Sequence, residues 1–323
     1  MIARKASRSS GISRTGQRQQ SEVSHLAYRQ RTRDLRNATE GARPLWLRIL
    51  QFPLIRIVVL APVLFVLMGI SNGFWGGQFA DRPLLAIGSA AVMAALAIVV
   101  YVTFVRFVER RPVSELARAP LARELGGGLL GGAGLYTLCV LILMVLGVYR
   151  VDGINPFLLI LPSIAMAISS SVFEELLHRG VIFRNLEELA GSWIALLVSA
   201  LIFGLRHLGN PEGTLIGALA ITVEAGLLLA ALFILTRRLW LSIGFHMGWN
   251  FVQSGIYSGS VSGAFEQPGL SKSTLEGPEF LTGGSFGMEG SVVAFGLCTL
   301  AGLVALHRAA RRGNLVPWTF KLR

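Results

Sequence analysis

The chain has 323 residues, of which 53% are hydrophobic and only 15% charged, against about 25% charged in soluble domains. Together with a mean hydropathy of +0.59, this excludes an ordinary soluble domain and indicates an integral membrane protein. The net charge is +12, but residues 1–48 hold eleven Arg or Lys and three acids, a net of +8, so the basicity belongs mainly to one segment and no nucleic-acid partner is expected.

Residues 1–50 lack the apolar residues needed for a core and are too long and polar to begin a signal peptide. They are read as a basic, disordered cytoplasmic tail, because basic residues beside spans face the cytoplasm. Eight apolar blocks follow, at roughly 53–73, 84–106, 126–149, 156–188, 191–208, 214–236, 240–258 and 289–307. A span needs about 20 such residues to cross about 30 Å of hydrocarbon. The expected fold is therefore all-α, a polytopic transmembrane helical bundle of about eight spans around a polar cavity. Residues 51–150 supply three helices, 151–258 a catalytic core, 259–288 a Gly/Ser-rich loop, and 289–323 the last helix with a basic end. Basic connections (Arg106 to Arg123, Arg237 with Arg238, Arg308 onward) alternate with neutral or acidic ones. That alternation predicts both termini in the cytoplasm.

Gly-rich GGGLLGGAG at 126–134 predicts close helix packing. It is not a phosphate loop, since no GK[ST] follows. Cys139 and Cys298 both lie in apolar blocks and offer neither a disulfide framework nor a CxxC site.

Ionisable groups in spans are costly and are usually partnered or functional. SSVFEELLHRGVIF, residues 170–183, holds Glu174, Glu175, His178 and Arg179. Glu175 and Arg179 are four apart and share a helical face, which predicts an ion pair. Glu174 points about 100° away and faces something else. SALIFGLRHLGNPEG places His207 at the far end of the next block, with Phe203 four residues before it. Gly191 lies between the two blocks, close to the midpoint of Glu174 and His207. A reversal there puts both side chains at one depth, about 24 Å from the turn at about 1.5 Å per residue. LSIGFHMGWNFVQSG adds His246 and Asn250, again four apart.

These groups fit a hydrolytic site. A carboxylate beside His207 takes a proton from water, and an imidazole and an amide on one face hold a developing oxyanion. A zinc held by Glu174, His207 and His246 around a water is the alternative, although HExxH is absent. Other classes stay open: a catalytically silent scaffold or immunity protein whose polar cluster glues helices, and a proton-coupled transporter.

The pattern resembles the CPBP family of intramembrane proteases, also called the CAAX-protease and bacteriocin-processing or Abi family. Its EExxxR motif is matched by Glu174-Glu175-Leu-Leu-His-Arg179, its FxxxH by Phe203 to His207, and its HxxxN by His246 to Asn250. The resemblance covers about residues 155–257. It implies Glu174 as the water-activating base, helped by His207, with His246 and Asn250 stabilising the oxyanion and Glu175, Arg179 and Phe203 in support. The family motif does not specify His178. It implies an endopeptidase acting on a membrane-associated or lipidated, CAAX-type substrate in a bacterial inner membrane. The family is commonly labelled metal-dependent; the amide after the third histidine suits an oxyanion better than a metal, so the expectation here is a metal-free water.

Overall fold

The computed structural model describes residues 44–318. Most of the expected basic tail, and the end of the chain from residue 319, lie outside the described residues. Leu45–Leu50 form a short helix, α1, in a unit of its own that ends at Leu50. Everything below concerns the second unit.

Its long helices start where the chain can begin a helix cheaply. Prolines occupy the first turns of α2 (Pro53–Gly73), α3 (Pro83–Phe104) and α5 (Leu161–Glu175), where the missing N–H has no intrahelical partner to lose. Helix α4 spans Leu121–Val145 and α6 spans Arg184–Arg206. The Thr214 side chain caps α7 (Leu215–Ile221) by accepting from Gly217 N at 3.0 Å. Helices α8 (Leu228–Thr236) and α9 (Trp240–Phe251) follow. After a short α10 (Glu279–Thr282), Ser291 caps α11 (Val292–Arg311), accepting from Ala294 N at 3.2 Å. Wider π turns extend α2, α3, α5, α7 and α9. Val58, Val66, Leu84, Val92, Leu130 and Val145 are exposed on the helix flanks, as hydrocarbon-facing side chains are.

The protein is thus a polytopic, predominantly helical membrane bundle. Among the described residues six helical stretches are long and apolar enough to cross a membrane, and one of them contains two of the eight expected blocks. Blocks 156–188 and 191–208 lie in the stretch Phe157–Gly209 as two helices, and the chain reverses between them at Gly191, whose backbone is left-handed (φ 78°, ψ 171°), so that Arg206 meets Glu174. A Cβ at Gly191 would lie 2.9 Å from Trp318 N, so glycine is required twice over. Block 240–258 forms α9, of 12 residues, and its five-residue π turn, short of the usual crossing length.

The fold is also not purely helical. Strand β1 (Tyr149–Ile154) pairs antiparallel with β2 (Ser271–Leu275), with Tyr149 opposite Leu275 and a bulge between Val151 and Gly153. Part of the expected 259–288 loop is therefore ordered against the α4–α5 connection. Such pairing is set by tertiary approach, and no local pattern announces it.

The two ends of the bundle are knitted differently. At one, Arg184 donates to Glu109 at 2.5 Å, Arg111 to Glu115 at 2.6 Å, and Arg56 to Glu188 at 2.7 Å. Arg237 binds Glu187 there at 2.5 Å, Arg238 binds Glu124, and Tyr101 binds Glu115. Burial alone would raise the Glu115 carboxyl, but Arg111 and Tyr101 outweigh it and hold the group below its ordinary range. At the other end, the β1–β2 pair, the 210–214 turn and residues 259–291 pack together. Asn210 Nδ2 donates to the Ser262 carbonyl at 2.7 Å and Glu212 N to the Gly263 carbonyl at 2.9 Å.

Helices α4 and α9 approach until their backbones touch. A Cβ on Gly128 would lie 2.7 Å from Phe245 N, and one on Gly132 2.8 Å from Trp249 N. On the facing helix, Gly244 and Gly248 abut the Leu125 and Leu129 carbonyls. The glycine run thus packs as its composition predicts. It sets α9, which carries His246 and Asn250, against α4.

Gly132→Ala is expected to destabilise the protein by about 1–3 kcal/mol, because backbone on α9 cannot yield as a side chain would. Gly134→Ala, whose Cβ meets nothing within 4 Å, should be neutral or stabilising by up to about 1 kcal/mol. Thermal unfolding in lipid nanodiscs compares them; equal shifts would refute the close-approach explanation.

Candidate active site

Glu174 and Glu175 close α5, and the π turn Leu176–Phe183 follows directly. Glu175 is fully buried and its Oε1 serves two partners. Arg179 Nη1 donates to it at 2.7 Å and His246 Nδ1 at 3.1 Å. The second Arg179 nitrogen, Nη2, donates to the Ala225 and Gly226 carbonyls at 2.7 and 3.1 Å. The guanidinium also lies 4.8 Å from the centre of the Phe203 ring, an arrangement that attracts cations to the ring face. One ion pair therefore ties together α5, α6, the turn after α7, and α9.

Because Nδ1 of His246 donates to Glu175, its Nε2 is turned to the other side. It faces Glu174 Oε2 at 4.0 Å, too far for a direct hydrogen bond and suited to a bridging water. His207 Nδ1 donates to the Phe203 carbonyl at 2.8 Å, which fixes its tautomer and leaves Nε2 as an acceptor. Asn250 Nδ2 donates to Ser170 Oγ at 3.0 Å. Phe203 is the common wall, with ring centres 4.9 Å from His207 and 6.4 Å from His246.

Glu174, Phe203, His207, His246 and Asn250 all line one cavity of about 490 Å³. Glu175 and Arg179 sit behind it. His178 is buried behind it as well, its Nδ1 donating to the Glu174 carbonyl at 2.9 Å and its Nε2 without a partner among the described residues.

Four cavity residues went unread in the sequence. Arg206, directly before His207, donates from Nη2 to Glu174 Oε1 at 2.5 Å. A charge inside SALIFGLRH was the available signal. Ser170 binds Asn250 across helices. Glu224 lines the cavity with neither carboxyl oxygen hydrogen-bonded among the described residues. A lone acid in an apolar block was again the signal. Glu289 is held by Trp249 Nε1 at 3.1 Å, Ser262 N at 2.6 Å and Ser262 Oγ at 2.8 Å. Burial pushes its carboxyl above the ordinary range, against the pull of those donors.

The histidines and Glu174 are the natural metal donors of the set. As placed, no group of three His, Cys, Asp or Glu side chains among the described residues is arranged to hold a metal ion. One Glu174 oxygen is occupied by a guanidinium, which would repel a metal cation, so the donor set does not fit one as it stands.

A family model described as type II CAAX prenyl endopeptidase Rce1-like matches residues 156–252. That segment contains Glu174, His207, His246 and Asn250. The chain matches no curated protein and no solved structure.

Two buried acids should respond oppositely to amidation. Glu175→Gln strips Arg179 and His246 of their shared anion and is expected to cost about 3–5 kcal/mol, as breaking one side of a buried pair does. Glu224→Gln removes a carboxylate with no partner and should leave stability unchanged or raise it. Chemical denaturation in detergent measures both; a destabilising Glu224→Gln would mean that the Glu224 carboxyl makes a stabilising interaction.

Proposed function

We propose that the protein is an intramembrane endopeptidase that hydrolyses a peptide bond through a water activated by Glu174 and His207. The observation that carries this reading is the convergence of Glu174, His207, His246 and Asn250, from three separate segments of the chain, on one cavity between apolar helices. The family match over the same segment supports it.

The step runs as follows. A water between Glu174 and the imidazoles gives a proton to Glu174 as its oxygen bonds to the substrate carbonyl carbon. The carbonyl oxygen becomes an oxyanion, held by the Asn250 amide and by His246 Nε2–H; in this step His246 carries a proton on each ring nitrogen from the outset and keeps both. Glu175 beside Nδ1 stabilises that imidazolium. The proton on Glu174 then passes to the leaving nitrogen as the C–N bond breaks. Both carboxylates thus act, one at the reacting atoms and one behind the imidazole.

Arg206 qualifies this picture. The Arg206 guanidinium occupies one of the two oxygens that would take the proton, so Glu174 as found is latched. Arg206 is only part-buried, its side chain 25% exposed, and can leave when substrate enters. The substrate is read as a membrane-associated peptide; a lipid group on it is implied by the family resemblance alone. The reading needs no metal.

Glu174→Gln keeps side-chain volume and removes the base. In a lipid-reconstituted preparation, cleavage of a membrane peptide should fall by at least about 10²-fold while insertion and thermal stability hold. Asn250→Ala should cost a similar order if the amide holds the oxyanion, and His178→Ala should cost least. Full activity in Glu174→Gln would remove the proposed role and favour a scaffold whose polar groups only join helices. A tightly held zinc lost together with activity in Glu174, His207 or His246 variants would overturn the metal-free step.

A further inference from the structure

The two ends of the bundle carry different charge. Between α3 and α4, Arg106, Arg110, Arg111, Arg118 and Arg123 stand against Glu109, Glu115 and Glu124. Arg237 and Arg238 mark the turn between α8 and α9 at the same end, and α11 closes there with Arg308, Arg311 and Arg312. The sequence ahead of α2 adds the net +8 of residues 1–48. At the opposite end Asp81 offsets Arg82 and Asp152 offsets Arg150, while residues 259–288 hold Lys272 against Glu266, Glu276 and Glu279. Basic residues in short connections stay on the cytoplasmic side. The end held by the arginine–glutamate pairs is therefore the cytoplasmic one.

The cavity belongs to the other end. Its exposed lining is Asn72 and Gly73 at the end of α2, Gly76 and Gly77 of the turn that follows, and Ala264 from the 259–291 segment. Trp75 and Phe265 meet edge to face across this mouth at 5.6 Å. Asn210 joins the mouth to His207, and Asn210 and Glu289 both bind Ser262. None of Arg56, Glu109, Arg111, Glu115, Arg184 or Arg237 lines the cavity.

We infer that the cavity opens to the extracytoplasmic side of the membrane, and that its substrates are membrane peptides whose cleavable segment lies at the extracytoplasmic end of their span. The substrate half of this inference rests on the peptidase reading above; the direction of the opening does not. A lipidated C-terminus that stays on the cytoplasmic leaflet would meet the closed, ion-paired end and could not reach Glu174. The catalytic groups take their water from the extracytoplasmic side, past the Trp75–Phe265 pair.

Single cysteines test the direction in intact cells with a membrane-impermeant sulfonated maleimide. Gly77→Cys and Ala264→Cys place thiols at the mouth, and a Cβ at Gly77 meets nothing within 4 Å. Arg118→Cys places one at the exposed basic end. The native Cys139 and Cys298 are buried, and the unsubstituted chain measures their background. Both mouth thiols should label in intact cells, and Arg118→Cys only after lysis. The reverse pattern overturns the inference. So does a failure of both mouth thiols to label after lysis, because the mouth would then be closed to water. A second arm uses two single-span reporter proteins carrying one cleavable segment at the outer or the inner end of the span. Cleavage of the outer reporter alone is expected, and cleavage of the inner one overturns the substrate assignment. If neither is cut while the mouth thiols label from outside, the peptidase reading fails and the orientation stands.

Discussion

The Glu175 carboxylate is the anchor on which the arrangement of this protein depends. It is completely buried between apolar helices. A lone carboxylate there would be untenable, so the fold must bring hydrogen-bond donors to it. Arg179 answers from one turn along, and His246 from a helix 71 residues away in sequence. Arg179 then spends its remaining donors on the Ala225 and Gly226 carbonyls and its face on Phe203. Satisfying one charge thereby fixes the mutual position of four helical segments. The side chains that face the cavity take their places from that requirement.

The second constraint is steric. His246 reaches Glu175 while α9 lies backbone to backbone on α4, and only glycines at 128, 132, 244 and 248 permit that approach. The two constraints act on opposite faces of one helix. The glycines hold its outer face, and the anchor holds the inner face that presents His246 and Asn250. A similar economy governs α6. Gly191 breaks the helical run with a left-handed backbone, and the segment beyond it climbs back until Arg206 and His207 stand beside Glu174. Phe203, one turn earlier, fills the space between the imidazoles.

The site is assembled but restrained. Arg206 occupies one oxygen of Glu174, Ser170 occupies the Asn250 amide, and Trp75 and Phe265 meet at the mouth. Each of these contacts is made by a group in the half of the bundle opposite the dense ion pairs. The two halves thus divide the labour: one is locked by charge, and the other holds the cavity and the contacts that have to open. A carboxylate kept by a guanidinium until substrate arrives avoids leaving an unpaired charge in hydrocarbon.

Relationships within one helix were legible in the sequence. Glu175 with Arg179, the glycine run at 126–134, and the break at Gly191 all follow from helical spacing and from what glycine alone permits, which are local rules of 3.6 residues per turn. Membrane character followed from the apolar blocks, because the bilayer demands a length and a composition. The tertiary structure alone decided the rest. It paired β1 with β2 across more than a hundred residues and set Arg206 on Glu174. It also lined the cavity with Glu224 and Glu289, which no motif had singled out. The reason is physical: spacing tells which side chains share a face, but which faces meet depends on the packing of every helix at once. A partner chosen by that packing leaves no mark in the residues beside it.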